Sequence, residues 1–345
     1  MTPKVAFVYS SQGAQWPGMG LQLYRQIPVF RRAIEACGEV VGDRLGWPLV
    51  EEFSGGGSGI DFHRHADRIQ PAVTALQIAL TEVFFEQGLR PAAVGGLSMG
   101  EPAACYAARI LCLKDAMTIA CCQASLTRHT LRPGRLAMVN LSVSGLKDLL
   151  ERLRNEVTGT GSQPAPVRYR FSIAAELSPT LTVISGEESQ ILQIVSRLEA
   201  HGIRCGMVPI HFGFHSPEVL PLREPFRQLL TPFEAREGSI PVYSSVTGKV
   251  REGAGFHRDY WWRIFRDRAR FLSASKSMLR AGHRVFLEIG PHPTLLGPIT
   301  ETALSMGCRI RTIGSMQRDS DELGTLEASL DALKSLGCRM AAQPS

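Results

Sequence analysis

Residues 92–130 read AAVGGLSMGEPAACYAARILCLKDAMTIACCQASLTRHT. The run before Leu97 is short and apolar and stops at paired glycines, the pattern of a buried strand, while the Ala- and Cys-rich sequence after it reads as helix. At the junction stands Gly96-Leu97-Ser98-Met99-Gly100, a serine between two glycines. A sharp strand-to-helix turn exposes such a hydroxyl and aims helix N-terminal amides at a charge developing beside it. Glycines at 96 and 100 permit the close backbone approach that the turn requires. A serine hydroxyl is a poor nucleophile unless a base and oxyanion donors stand next to it. Ser98 is therefore a candidate nucleophile, and the competing reading is a tight turn with no chemistry. Farther along, Gln123 is a polar residue in a segment that otherwise reads as a buried helix.

Outward from this turn, "KVAFVYS" at 4–10 is a buried strand entering a loop, "SGGGSG" at 54–59 a turn, and 69–88 a helix that stops at a glycine. Strands alternating with helices imply a parallel α/β sheet. The middle of the chain differs. Strand 136–143, helix 144–157, a loop, strands 168–177 and 180–186, helix 187–202 and strand 203–210 follow one another. That order, β-α-β-β-α-β, is the ferredoxin-like unit. It sets the expected boundaries: a main domain over 1–133 and 209–345, and an inserted subdomain over 134–208. "IPVYSSVTG" at 240–248 and "GHRVFLEIG" at 282–290 resume the main strand pattern, and 321–337 is an amphipathic helix.

Composition narrows the function classes. The chain has 345 residues, 44% apolar and 20% charged, as in a globular protein with a large core. No apolar run reaches the roughly 20 residues of a membrane span, and the N-terminus lacks a signal-peptide cleavage pattern. A cytoplasmic protein without membrane attachment is expected. The eight cysteines form no C-x-x-C pair and the nine histidines no ligand cluster; "HRH" at 63–65 reads as a solvated loop. No metal and no cofactor are expected. The net charge of +6 comes with 32 arginines and 6 lysines, which favours an acidic partner. No nucleic-acid motif accompanies it.

A base for Ser98 should be a histidine. "IHFGFHSPEV" offers His211 and His215 directly after the last subdomain strand. The setting of His215 among apolar and small residues, with Ser216-Pro217 following, slightly favours it over His211, and the pattern alone leaves both open.

Several motifs, in order, resemble those of the malonyl-CoA:acyl-carrier-protein transacylase family, in particular polyketide synthase acyltransferase domains. "FVYSSQGAQWPGMG" resembles its F-x-x-x-G-Q-G-x-Q-x-x-G-M-G opening, and "IQPAVTALQIAL" its next helix. "GLSMGEPAA" is similar to G-H-S-x-G-E-x-A-A, "AAELSPTLTVISG" to A-A-x-N-S-P-x-x-x-V-x-S-G, and "FGFHSP" to the catalytic-histidine segment. "VYSSVTG", "YWW" and "FLEIGPHPTLL" complete the series over essentially the whole length. The resemblance implies an α/β-hydrolase-like parallel-sheet domain with an inserted ferredoxin-like subdomain. It selects His215 as general base and acid for an acylated Ser98, and the backbone N–H groups of Gln12 and Met99 as the oxyanion hole. A Ser-His dyad oriented by a carbonyl needs no third acidic residue.

Departures from the family pattern matter as much. Alignment of "LKDAMTIACCQASL" puts Gln123 where malonyl-type enzymes carry the arginine that holds the substrate carboxylate, unless Arg128 substitutes. Ser11 replaces a glycine, Leu97 the histidine before the nucleophile, Leu177 the Asn of N-S-P, and Ile264 an Asn near the catalytic histidine. Phe214 matches the malonyl-type F-H-S, a rule that presumes the missing arginine. Gln123, Leu97 and Phe214 are the expected substrate-binding residues. The reading is an acyltransferase that moves a non-carboxylated acyl group (starter or aminoacyl type) onto a carrier protein in polyketide-type biosynthesis. The donor is an acyl-CoA or another acyl-carrier protein. The alternatives are a proofreading acyl hydrolase acting on acyl-carrier proteins, a malonyl-type transacylase, a silent docking module and a generic lipase. Because carrier proteins are acidic, Arg152 and Arg154, with Arg168, Arg170 and Arg204 nearby, are a candidate docking face; a merely solvated arginine-rich surface is the plain alternative.

Overall fold

The computed structural model describes residues 3–55, 66–127, 134–156, 169–230, 233 and 235–340. The turn at 54–59 for its greater part, "HRH" at 63–65, Arg128 and Arg168 lie outside them.

Among the described residues ten strands form two sheets: β1 (Val5–Tyr9), β2 (Ala93–Gly96), β3 (Gly134–Val139), β4 (Ser172–Ser178), β5 (Leu181–Glu187), β6 (Cys205–Met207), β7 (Val242–Tyr243), β8 (Val250–Arg251), β9 (Val285–Ile289) and β10 (Arg311–Gly314). The first sheet runs β10-β9-β1-β2-β7-β8, and the second β4-β5-β3-β6. In the first, β10 through β7 are parallel and β8 adds an antiparallel edge. Every residue of β1 and β9 is buried, as expected for strands covered on both faces. β1 lies between β2 and β9 with Tyr9 level with Gly96 and Ile289, so the loops after these three strands open at one edge. Ligands of open parallel sheets bind outside the carboxyl ends of the strands, and Ser98 stands there.

All neighbours in the second sheet are antiparallel, with helices Val143–Glu156 and Glu188–Ala200 as its crossovers. This is the ferredoxin-like order expected from the sequence. It has a core of its own, built from residues such as Val139, Leu146, Leu150, Ile184, Ile191 and Leu198.

Several expected strands are shorter than their sequence pattern; the one expected at 136–143 ends at Val139, and that at 282–290 spans Val285–Ile289. At 240–248 only Val242–Tyr243 pairs, because the Ser244 hydroxyl accepts from the Val246 and Thr247 amides (3.1 Å each) and turns the chain. At 203–210 the strand is Cys205–Met207, and its ladder closes with the Val208 amide donating to the Leu136 carbonyl (3.0 Å) before Pro209, which brings no N–H. At 168–177 pairing begins at Ser172. The edge strand β10 and the helices before Ala66 were not foreseen.

All eight cysteines are free, five of them buried. Burial pushes the Cys122 and Cys205 thiols up to about 11, which keeps them protonated. Among the described residues no helix is long and apolar enough to cross a membrane, and no group of three or more His, Cys, Asp or Glu is placed to hold a metal ion.

Candidate active site

β2 ends at Gly96, and a single 3-10 turn, Ser98–Gly100, leads into helix Glu101–Ala107. Steric arithmetic explains both glycines of the turn. A Cβ at Gly96 would lie 2.4 Å from the Glu101 nitrogen, and one at Gly100 would lie 2.3 Å from the Tyr9 carbonyl oxygen. Backbone atoms cannot yield that far, so only glycine lets the turn press against β1. Ser98 itself sits at φ 51°, in the left-handed region where a side chain is strained.

The Ser98 hydroxyl lies 2.9 Å from His215 Nε2, and His215 Nδ1 lies 2.7 Å from the Asp267 carbonyl oxygen. A carbonyl only accepts, so Nδ1 carries the proton and Nε2 presents a lone pair to the serine. His215 also has a left-handed backbone, φ 58°. Its amide donates to the Phe265 carbonyl (3.2 Å), and Ser216 caps the 3-10 turn Pro217–Leu222 through the Glu218 amide. Behind it, the rings of Phe212, Phe214 and Phe265 pack edge-on or tilted within 4.4–5.8 Å. Burial lowers the His215 pKa below its usual value, an effect the Asp267 contacts only partly oppose. The ring is thus neutral at neutral pH, as a base must be.

The orienting carbonyl belongs to Asp267, whose carboxylate is turned to Arg263 (2.9 Å) and Arg266 (3.4 Å). Ile264 is buried in helix Arg258–Arg266 and takes no part. The Asn that Ile264 replaces in the related motifs is not needed to orient His215, because the Asp267 carbonyl does so. His211 is exposed, 3.0 Å from Arg135, and lines neither cavity beside the serine.

A second set of contacts, which motif reading did not assign, anchors the turn. The Ser98 amide donates to Ser245 Oγ (3.2 Å), and both the amide and hydroxyl of Ser245 donate to Glu101 (2.5 Å each). The Tyr260 hydroxyl donates to the other Glu101 oxygen. Burial pushes the Glu101 carboxyl up to about 7 against these donors. The only signal in the sequence was a glutamate directly after G-x-S-x-G.

Two cavities meet at the dyad. The smaller, about 40 Å³, is lined by Gln12, Gln70, Met99, Gln123, Phe214 and Phe265, among others. Gln123 faces it from helix Leu113–Thr127 at 2% exposure, so its place in a buried helix is explained by this cavity. The larger, about 210 Å³ and mostly apolar, lies between the two sheets and takes Leu97 from one side and Leu136, Leu177 and Val183 from the other. Ser11, Gln12, Ser98 and His215 line both. The Gln12 loop is held in shape by Gln77, which donates to the Ser10 carbonyl (2.8 Å), and by Gln15, which accepts from the Gly13 amide (2.7 Å). On the far wall Glu288 accepts from the amides of Thr294 (2.7 Å) and Leu295 (2.9 Å), fixing two residues of the larger cavity.

Residues 6–340 match the acyl transferase domain family. The chain belongs to that family. It is 34% identical over 333 residues to 5-methyl-1-naphthoate synthase of Streptomyces sahachiroi, covering 96% of this chain and 18% of that protein. It is 31% identical over 329 residues to polyketide synthase GfsE of Streptomyces halstedii, covering 95% and 8%. The chain therefore spans less than a fifth of the length of these relatives. Among solved structures, a loading acyltransferase from the avermectin modular polyketide synthase superposes with a TM-score of 0.86 at 30% identity, covering 96% of this chain and 99% of that one.

Proposed function

We propose that this acyltransferase moves a non-carboxylated acyl group from a thioester, on CoA or a carrier protein, to the phosphopantetheine thiol of an acyl-carrier protein in polyketide-type biosynthesis. The observation that carries the reading is the relay Ser98–His215–Asp267 carbonyl, with its tautomer fixed. Ser98 Oγ attacks the thioester carbonyl while its proton passes to His215 Nε2. The backbone amides of Gln12 and Met99 take the oxyanion. Collapse breaks the C–S bond, and His215 returns the proton to the departing sulfur. In the second half the acceptor thiol gives its proton to His215 and attacks the ester; the C–O bond breaks and Ser98 recovers its hydrogen.

Gln123, Leu97 and Phe214 are the substrate-binding residues of this reading. The acyl group occupies the small cavity, and the pantetheine arm occupies the larger one between the main domain (1–133 and 209–345) and the inserted subdomain (134–208). Gln123 argues against a malonyl-type substrate, since a neutral amide replaces the charged fork that a buried carboxylate needs. Arg152 and Arg154 on helix Val143–Glu156 are proposed to meet the acidic carrier.

Hydrolysis of the same acyl-enzyme is the rival reading. The apolar walls of the larger cavity favour transfer, because water finds few partners there until a thiol arrives. The test loads the enzyme, removes free thioester and follows intact mass with and without holo-carrier. An acyl-enzyme stable for minutes that discharges on carrier addition is expected. Rapid loss to free acid regardless of carrier would assign the protein to hydrolysis.

A further inference from the structure

The small cavity is not neutral in its hydrogen bonding. Gln70 and Gln123, each 2% exposed, and Gln12 line it together, from helix Ala66–Glu86, helix Leu113–Thr127 and the loop after β1. Gln70 Nε2 donates weakly to Gln12 Oε1 at 3.4 Å. Three buried polar atoms then have no partner among the described residues: Gln12 Nε2 and Gln123 Nε2, which donate, and Gln70 Oε1, which accepts. Reversing both amides of the Gln12–Gln70 pair exchanges the labels and still leaves a donor and an acceptor free. Buried groups of this kind are ordinarily satisfied, and leaving them so is costly.

From this we infer that the acyl group carried on Ser98 bears a hydroxyl, and that the enzyme's substrate is a short hydroxyacyl thioester. The inference rests on the acyl-transfer reading above. A hydroxyl both donates and accepts, so one group answers Gln70 Oε1 and an amide NH₂ at once. A carboxylate only accepts and would leave the free acceptor unanswered, on Gln70 or, with the pair reversed, on Gln12. An ammonium only donates, and burying it among neutral groups is expensive. An alkyl chain satisfies none of the three atoms. Size agrees: at roughly 10–15 Å³ for each water-sized group, the cavity of about 40 Å³ takes about three heavy atoms. That admits acyl groups of two to four carbons and excludes long or aromatic ones.

The experiment presents glycolyl-, 3-hydroxypropionyl-, acetyl-, propionyl- and malonyl-CoA to the enzyme, singly and in equimolar competition, and reads Ser98 acylation by intact mass. The same groups as N-acetylcysteamine thioesters repeat the series without the CoA body. A hydroxyacyl group should be loaded about tenfold or more in preference to its unsubstituted analogue, since the latter leaves a buried site unpaired. In the Gln123→Met protein, matched in length and checked by its thermal midpoint, that preference should fall or reverse toward propionyl. Equal or better loading of acetyl or propionyl by the wild-type enzyme would overturn the hydroxyacyl inference and leave acyl transfer standing. Preferential loading of malonyl would overturn the non-carboxylated reading itself. The wild-type comparison decides the matter even if the variant fails to fold.

Discussion

The substitution Gln123→Arg tests what the helix Leu113–Thr127 contributes to specificity. A carboxylated acyl group reaching the small cavity would end among the neutral amides of Gln70 and Gln123 and the apolar walls of Ile210, Phe214 and Phe265. Of the described residues lining it, only His215 can become cationic, and its lowered pKa keeps it neutral. Removing one partner of a buried ion pair costs about 3–5 kcal/mol, which is about two to three and a half decades of binding. An arginine at 123 restores the charge and the bidentate fork, but its longer side chain must enter a cavity of only about 40 Å³. We therefore expect the lower end, a rise of about a hundredfold in malonyl over acetyl loading. Lysine at 123, a point charge without the fork, should gain less. The assay is competition between equimolar malonyl-CoA and acetyl-CoA, with the two acyl-enzymes resolved by mass. A wild-type enzyme that already prefers malonyl, or a folded Gln123→Arg protein with an unchanged ratio, would refute this reasoning.

Other expectations follow from the same geometry. Ser98→Ala should abolish acylation and His215→Ala reduce it by roughly a thousandfold, with the double variant no worse than Ser98→Ala alone because the two act as a unit; acylation persisting in Ser98→Ala would remove the nucleophile assignment. Burial raises the Glu101 carboxyl from 4.5 to about 7, so its contribution to stability is complete below about 4.5 and is lost as pH rises through about 7. Thermal midpoints measured from pH 4.5 to 8 should carry this fall in the wild type, and Glu101→Gln should flatten it; parallel profiles would show that Glu101 does not titrate there. Because His215 must be neutral and its pKa is lowered, acylation should persist at pH values below its ordinary titration point and fail only on further acidification; a midpoint above 6.5 would contradict the burial argument. Arg152→Glu and Arg154→Glu should slow transfer to the carrier at low salt without slowing self-acylation from a small thioester. Positions 152 and 154 are about 200° apart around a helix, so the single reversals are read separately, and unchanged transfer in both would place docking elsewhere.

The fold was legible where burial imposes a simple pattern. β1 is apolar at every position because parallel strands are covered on both faces, and the β-α-β-β-α-β order is written in alternating periodicities. Strand ends were less legible: the Ser244 turn is made locally by a serine that a strand pattern also accommodates, and the edge position of β6 depends on β3, remote in sequence. In the site, Ser98 could be read from the chain as a candidate, while the place of Gln123 at the substrate pocket came from the motif resemblance. Choosing His215 over His211 needed family motifs, because both stand in apolar segments and only the tertiary approach of Asp267 separates them. That orienting group has no sequence signature at all; every residue owns a carbonyl. Gln70 and Gln77 lie seven positions apart, two helical turns, on a run that is otherwise apolar but for Thr74. Their polarity was the available sign that this helix face looks toward something other than core.

The departures from the related motifs are not distributed at random around Ser98. None falls in the relay: the serine, the histidine and the carbonyl that fixes its tautomer are all in place. Ile264, the replacement that most threatened the relay, is core. The remaining changes line the two cavities, and they differ in kind. Leu97 and Leu177, at positions of a histidine and an asparagine in the related motifs, make the larger cavity drier. In the smaller one Gln123, placed by the motif resemblance where malonyl-type enzymes carry an arginine, is a neutral amide, and polarity is kept, with Gln12, Gln70 and Gln123 around one small volume. An enzyme adapted to a plain alkyl group gains nothing from unpaired amides there, because each costs desolvation that leucine or methionine would avoid. A wall that carries hydrogen-bonding groups but no charge is the surface that the proposed polar, uncharged acyl group would meet.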